Sequence, residues 1–431
     1  VIQIEKFAPD LAADEANFSI ITLATIDGGS MPTSPAKARR VITVAALACA
    51  LLGLAPLAAH AVDAATETGT ETAPIKAAMA EYRRKLAAYT KAYDAFDKIA
   101  GPYWRDVTDK RSRRRTKVAN NMRLSADDYV MTQPPVYNGP DKPENPLQPG
   151  KKHSEIPDVS DFLANAKAEF GFVPEAPADE VTYKRAYAKV AAAAGLTKEA
   201  AVKIYGFESG GDGKYDIQAG REYDMKARVI STALGYNQLL TTNTVGLLAE
   251  DGDDFLDVLA TASKNADADR KAALADKTAK LKKMIAFART VPNDWNAHGR
   301  LANTPKGMGV HALNLDIDVG PLLQTRKLTT SVEFARRKGY TAPLTAAELE
   351  MMNLTGDGNG YDMVTMPKAL REKVPTTNFF QRGGYERNPV AARNNTVAKL
   401  IAATDAKMVS EARLQGAKDL AAAFDAVTAA R

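Results

Sequence analysis

Hydrophobic positions follow two rhythms along this chain. Between Val41 and Leu57 they run almost unbroken, with Lys37, Arg39 and Arg40 before them and Ala59-His60-Ala61 after them. A basic n-region, an apolar h-region and a small-x-small cleavage pattern in that order predict a secretory signal peptide over 31–61, starting at Met31 and cut between Ala61 and Val62. A membrane-spanning helix needs about 20 apolar residues. This run contains Gly53 and Pro56, so no stable membrane span is expected once the leader is removed. Residues 1–30 have no role in front of such a leader and are expected to be a non-native upstream extension.

Elsewhere the apolar positions recur at steps of three and four. Met79, Tyr82, Leu86, Tyr89, Tyr93 and Phe96 predict a helix from Pro74 to about Ile99, which Pro102 is expected to interrupt. The same periodicity predicts helices near 160–169, 181–194, 197–208, 225–234, 238–249, 254–263, 266–289, 328–338, 345–353 and 390–428. No alternating run is long enough for a large sheet, so the expected class is mostly α. Residues 62–73 are small and polar and read as a flexible leader. Seven of the 22 prolines fall in 134–157, a stiff linker or wrapping arm that marks the expected domain boundary. The resulting division is a leader and helical segment over 62–133, a Pro-rich linker over 134–157, and a main domain over 158–431.

Composition changes this picture in one respect. The chain has 57 basic and 52 acidic residues, a net charge of +5, and one cysteine, Cys49, inside the h-region. Removing residues 1–61 takes four basic and five acidic side chains with it, leaving 370 residues, a net charge of +6 and no thiol. A cysteine-free exported chain suits an oxidising periplasm or exterior. It excludes a disulfide framework and any thiolate metal site, and no metal or cofactor is expected. The run Asp109-Lys-Arg-Ser-Arg-Arg-Arg-Thr-Lys117 is the densest charge cluster. It is read as a solvated helix face rather than a nucleic-acid contact, because aromatic residues are scarce around it and an exported protein rarely meets nucleic acid.

The informative stretch is Ala191–Asp251. Thr197 is a plausible N-cap for a helix with Ala201, Ile204 and Tyr205 on its apolar face, and Glu208-Ser209-Gly210-Gly211 ends it. A carboxylate at the end of such a helix suits the lip of a cleft, where withdrawal from water favours the protonated form that a general acid needs. About thirty residues later comes Gly235-Tyr236-Asn237-Gln238-Leu239-Leu240-Thr241-Thr242-Asn243-Thr244. Its amides can donate to and accept from sugar hydroxyls and N-acetyl groups.

Glu208-Ser209 followed at this spacing by Gly-x-x-Gln-Leu resembles the soluble lytic transglycosylase catalytic domain, which has a lysozyme-like α-helical fold. The family's third motif, Ala-Tyr-Asn-Ala-Gly-Pro-Gly, has its nearest counterpart in Met351-Met-Asn353-Leu-Thr-Gly356-Asp-Gly358. That segment keeps the Asn and both glycines but has an insertion and no Tyr. Tyr361 or Tyr385 could supply the missing hydroxyl. The resemblance covers roughly 180–390. It implies cleavage of the β-1,4 bond between N-acetylmuramic acid and N-acetylglucosamine in peptidoglycan, with a 1,6-anhydro product and Glu208 as the single acid and base. Ser209, Tyr236, Asn237, Gln238 and Asn353 would contact substrate, and Tyr361 or Tyr385 would hold Glu208. The implied partner is the peptidoglycan glycan strand. Two alternatives stand beside it: a hydrolytic lysozyme-type muramidase, and a non-catalytic wall-binding or scaffold protein of the same fold.

Other residues have simpler readings. Asp212, Asp216 and Asp224 are turn formers, or the base of a hydrolytic enzyme. Asp251-Gly-Asp-Asp254 and Asp357-Gly-Asn-Gly-Tyr-Asp362 lack the spacing of a calcium loop and read as turns. His298 and His311 have no evident third ligand, and Trp104 and Trp295 are read as core residues.

Overall fold

The computed structural model describes residues 73–120, 122–147, 156–210, 232–386 and 388–429. The signal peptide, the upstream segment, most of the polar leader, residues 225–231 of the helix expected at 225–234, and Asp212, Asp216 and Asp224 all lie outside them, while 232–234 are not helical. The described residues are mostly helical and contain no strand, only isolated bridges between Leu234 and Leu239 and between Pro375 and Thr396. None of these helices is long and apolar enough to cross a membrane.

A long helix, α1 (Ala73–Ala119), comes first, and residues from Met79 onward belong to one compact unit. Then follow α2 (Val159–Phe170), α3 (Glu180–Ala193) and α4 (Lys198–Ser209). Next are α5 (Thr241–Lys264), α6 (Ala268–Ala288), α7 (Trp295–Ala302), α8 (Pro305–His311) and α9 (Gly320–Arg337). The chain closes with α10 (Ala346–Thr355), α11 (Asp357–Thr365), α12 (Lys368–Arg371), α13 (Arg382–Glu386), α14 (Pro389–Arg393), α15 (Val397–Glu411) and α16 (Gln415–Ala429).

Three apolar clusters organise these helices. Phe162, Phe255, Leu281 and Leu323 join α2, α5, α6 and α9. Tyr183, Tyr205, Leu328, Leu349, Met408 and Phe424 join α3, α4, α9, α10, α15 and α16. Trp104, Val107, Tyr129, Met351, Met363 and Leu400 join α1 to α10, α11 and α15. The third cluster bears on the expected domain boundary. The helical N-terminal segment and residues beyond 350 share one core, so residues 134–157 do not separate two independent cores. At its start the Pro-rich segment is an arm laid on α1, where the ring of Tyr137 meets Tyr89, Tyr93 and Phe96.

Several expectations need correction. Helix α1 continues through Pro102. A proline removes one backbone donor, and here the buried side chains of Ala100, Trp104 and Val107 hold the helix on both sides of the gap. The basic run is a solvated face only in part: Arg113 and Arg115 are exposed, but Arg111 and Arg114 are buried. They extend the stripe 100, 104, 107 by further steps of four and three. Arg111 donates to the carbonyls of Asn378 and Phe380. Arg114 donates to the carbonyls of Asp128 and Asn378 and forms a 3.0 Å ion pair with Asp362.

The segments expected at 238–249 and 254–263 are one helix, α5, with Asp251-Gly252 in its middle rather than in a turn. Gly252 is required there because a Cβ would come within 2.6 Å of Ile285 on α6. Asp251 pairs with Arg326, and Asp253 pairs with Arg289. Likewise Asp357–Asp362 lies in α11 rather than in a turn. The last expected helix, 390–428, divides into α14, α15 and α16. Asn388 caps α14 and Thr396 caps α15 through side-chain acceptors. The core reading holds for Trp104 but not for Trp295, which is exposed.

Candidate active site

Helix α4 forms for the reasons its sequence offers. The Thr197 side chain accepts from the backbone N–H of Ala200 at 3.2 Å. Ala200, Ala201, Ile204 and Tyr205 are buried, and Gly210 takes a left-handed conformation (φ 79°) that closes the helix. This leaves Glu208 half-buried on the last turn, on the same side as Tyr205 one turn earlier. Oε1 of Glu208 accepts a 2.9 Å hydrogen bond from Nδ2 of Asn353 on α10. The neighbouring Ser209 hydroxyl donates back to the carbonyl of Tyr205 at 2.6 Å, so its described bond caps the helix.

The Gly235–Gln238 segment is a tight turn. Leu234 and Leu239 exchange both backbone hydrogen bonds across it, at 2.9 and 2.8 Å. Gly235 (φ 82°) and Gln238 (φ 45°) both lie in the left-handed region. Gly235 has a second reason to be glycine, because a Cβ would come within 1.9 Å of Nε2 of Gln324. Gln324 is fully buried and clamps the turn. Its Oε1 accepts from the backbone N–H of Asn237 at 2.8 Å, and its Nε2 donates to the carbonyl of Leu234 and to Oδ1 of Asn314.

Behind the turn, Tyr236 is fully buried among the rings of Tyr183, Tyr187 and Tyr205, with the Tyr205 centroid 4.6 Å away. Its hydroxyl donates to Glu180 at 2.7 Å, and burial together with the Glu180 charge holds its ionisation well above the usual tyrosine range. Asn237 is also buried and donates to Tyr187 and to the carbonyl of Gln324. Burial pushes the Tyr187 hydroxyl up to about 12, with the Asn237 bond working against that shift. The Lys184 ammonium lies over the rings of Tyr205 and Tyr236, at 5.3 and 5.8 Å.

The sequence-predicted residues therefore separate into distinct groups. Glu208 and Asn353 meet directly. Tyr236 and Asn237 face the interior and brace the turn against α3 and α4, so they present no polar group to a substrate. Gln238 is half-buried, with its amide turned back onto the Gly235 carbonyl at 2.9 Å. Tyr361 donates to the carbonyl of Lys338, and Tyr385 is buried against Trp104 and Phe380. Neither hydroxyl is bonded to Glu208. The insertion in the third motif places Gly356 (φ 80°) between α10 and α11 and carries Tyr361 away on the second helix.

Two residues at the site were missed. Glu350, buried one turn before Asn353, accepts from the same amide nitrogen at 3.3 Å. Its signal was available, as a carboxylate within the apolar run Leu349–Met352. Gln324 gave no comparable signal, because a Gln in an amphipathic helix usually faces water. Among the described residues, no group of three or more His, Cys, Asp or Glu side chains is arranged to hold a metal ion. Comparison of the chain with protein-family models, curated proteins and solved structures finds no match.

Proposed function

We propose that this chain is an exported peptidoglycan lytic transglycosylase with a lysozyme-like catalytic centre and Glu208 as its acid and base. The observation that carries the reading is the Glu208–Asn353 hydrogen bond. It joins the first and third motifs at the helix end whose Tyr205 also receives the second motif through Tyr236. Two segments 145 residues apart thus meet at the Glu208 carboxylate, and the third packs on the same helix one turn earlier.

The chemistry follows from a single carboxyl group. Protonated Glu208 gives its proton to the glycosidic oxygen as the bond to C1 of the muramyl residue breaks. The resulting carboxylate takes the proton of the C6 hydroxyl as that oxygen closes on C1. The 1,6-anhydro ring forms, no water is consumed, and Glu208 ends protonated as it began. A two-carboxylate hydrolase needs a second acid open to the sugar or its water. Among the described residues, the carboxylate that shares the Asn353 amide with Glu208 is Glu350, which is only 1% exposed and so is not open to the sugar or its water. The expected export and the absence of cysteine beyond residue 61 support a wall polymer as substrate.

The test is digestion of isolated sacculi by the purified protein, with products read by mass spectrometry. Anhydro-muropeptides are expected, and Glu208→Gln should lower their release by about 10²- to 10⁴-fold. Reducing ends would assign a hydrolytic muramidase instead. Absence of release would leave a wall-binding scaffold, and unchanged release by Glu208→Gln would remove Glu208 from the catalytic role.

A further inference from the structure

The amide of Asn353 has a second acceptor that the proposed reaction does not itself use. Its single nitrogen donates to Oε1 of Glu208 at 2.9 Å and to Oε2 of Glu350 at 3.3 Å. An amide NH2 carries two hydrogens, one for each carboxylate. Turning the amide over would set its oxygen against two carboxyl groups, so the pair fixes which end of Asn353 faces Glu208. Glu350 lies inside the packed face of α10 between buried Leu349, Met351 and Met352 and cannot reach solvent. It is therefore a fixed anchor, while Glu208 at the helix end is half-buried.

We propose that Glu350 and Asn353 are positioning residues for Glu208: Glu350 locks the Asn353 amide, and the amide fixes which oxygen of Glu208 carries the transferable proton. The inference rests on the reading of Glu208 as acid and base. With Oε1 held as an acceptor, the proton of the acid form sits on Oε2, where it meets the leaving oxygen. After transfer, the same N–H stabilises the carboxylate that must receive the C6 hydroxyl proton. Asn353 on this account is not a sugar contact, so its loss acts on kcat and leaves KM in place.

The test measures kcat and KM on a soluble two-disaccharide peptidoglycan fragment for the wild-type protein, Asn353→Ala, Glu350→Gln and the double variant, with thermal unfolding of each. Asn353→Ala should lower kcat by about 10²-fold, the size typical of losing one preorganised donor, at nearly constant KM. Glu350→Gln should lower kcat by roughly tenfold, and the double variant should be no slower than Asn353→Ala, because on this proposal Glu350 reaches Glu208 through that amide. Raised KM at unchanged kcat for Asn353→Ala would restore Asn353 as a substrate contact and overturn the inference. So would full kcat in Glu350→Gln, or losses that simply multiply and follow the fall in unfolding temperature. An inert wild type, or an active Glu208→Gln, is a different pattern and overturns the reading of Glu208 together with this one.

Discussion

Acidification should destabilise this protein through one buried histidine, His311, and the effect can be sized from its surroundings. His311 is fully buried. Its Nε2 lies 2.7 Å from the carbonyl of Thr232, and its Nδ1 lies 2.8 Å from the Thr244 hydroxyl and 3.2 Å from Nδ2 of Asn314. A carbonyl can only accept, so Nε2 carries the hydrogen and Nδ1 is the acceptor. A proton added at Nδ1 would face the Asn314 amide, itself a donor. Burial accordingly pushes His311 down to about 4, with the Thr232 bond opposing the shift. Between about 6.5 and about 4 the unfolded chain holds a proton that the native state lacks. The contribution of His311 is therefore complete above pH 6.5, is lost as pH falls through that window, and changes no further below it. A displacement of this size is worth about 3 kcal/mol. The measurement is urea unfolding of the wild type and His311→Gln at pH 7.5 and pH 4. The wild type's advantage should shrink by about 3 kcal/mol at the lower pH. A constant gap between the two proteins would refute the reasoning. Because Asn314 also holds Gln324, and Gln324 clamps the Gly235–Gln238 turn, the proposed glycan cleavage should weaken in the same window.

Two further substitutions probe the supports of the site. Gly235→Ala forces a non-glycine residue into the left-handed region and displaces Gln324 from its hydrogen bonds; a loss of about 2–4 kcal/mol in chemical denaturation is expected, with reduced glycan cleavage. Arg114→Ala removes the cation from the buried Asp362 carboxyl, which burial already shifts upward against the opposing pull of Arg114. Calorimetry should register about 3–5 kcal/mol of destabilisation, whereas the exposed neighbour Arg115 should tolerate alanine within about 0.5 kcal/mol.

How far the sequence discloses this fold depends on which signal each element carries. Helices α2, α3, α4 and α6 combine a 3.6-residue apolar period with a side-chain cap, and they lie where the period predicts them. The period alone misleads where tertiary contact overrides a breaker. Pro102 and Gly252 both signal interruption, yet the first is spanned by buried neighbours and the second is what allows α5 and α6 to approach. The arginines of α1 mislead for the opposite reason. Arg111 and Arg114 continue the positions of Ala100, Trp104 and Val107 exactly in register, but composition reads an Arg-rich run as solvated. What makes their burial tolerable is a set of acceptors some 250 residues away, on Asn378, Phe380 and Asp362, and local sequence cannot reveal acceptors at that distance.

The same distinction runs through the site. Glu208 stands out as a candidate because its signals are local: an apolar helix, a terminal carboxylate and a glycine stop. Tyr236 and Asn237 were misassigned because an aromatic-amide pair in a turn has identical composition whether it faces sugar or braces a core. Only the rings of Tyr183, Tyr187 and Tyr205 around it decide between the two. Asn353 sits between these cases. Its likeness to the third motif singles it out, while Tyr361 and Tyr385 make other contacts and the Asn353 amide is the group that meets Glu208. A hydroxyl in that place has one hydrogen to give, whereas an amide has two. The second hydrogen needs an acceptor of its own, and a carboxylate one helical turn away supplies it. If Asn353 holds the proposed acid Glu208, the buried Glu350 carboxylate is what holds Asn353 in turn.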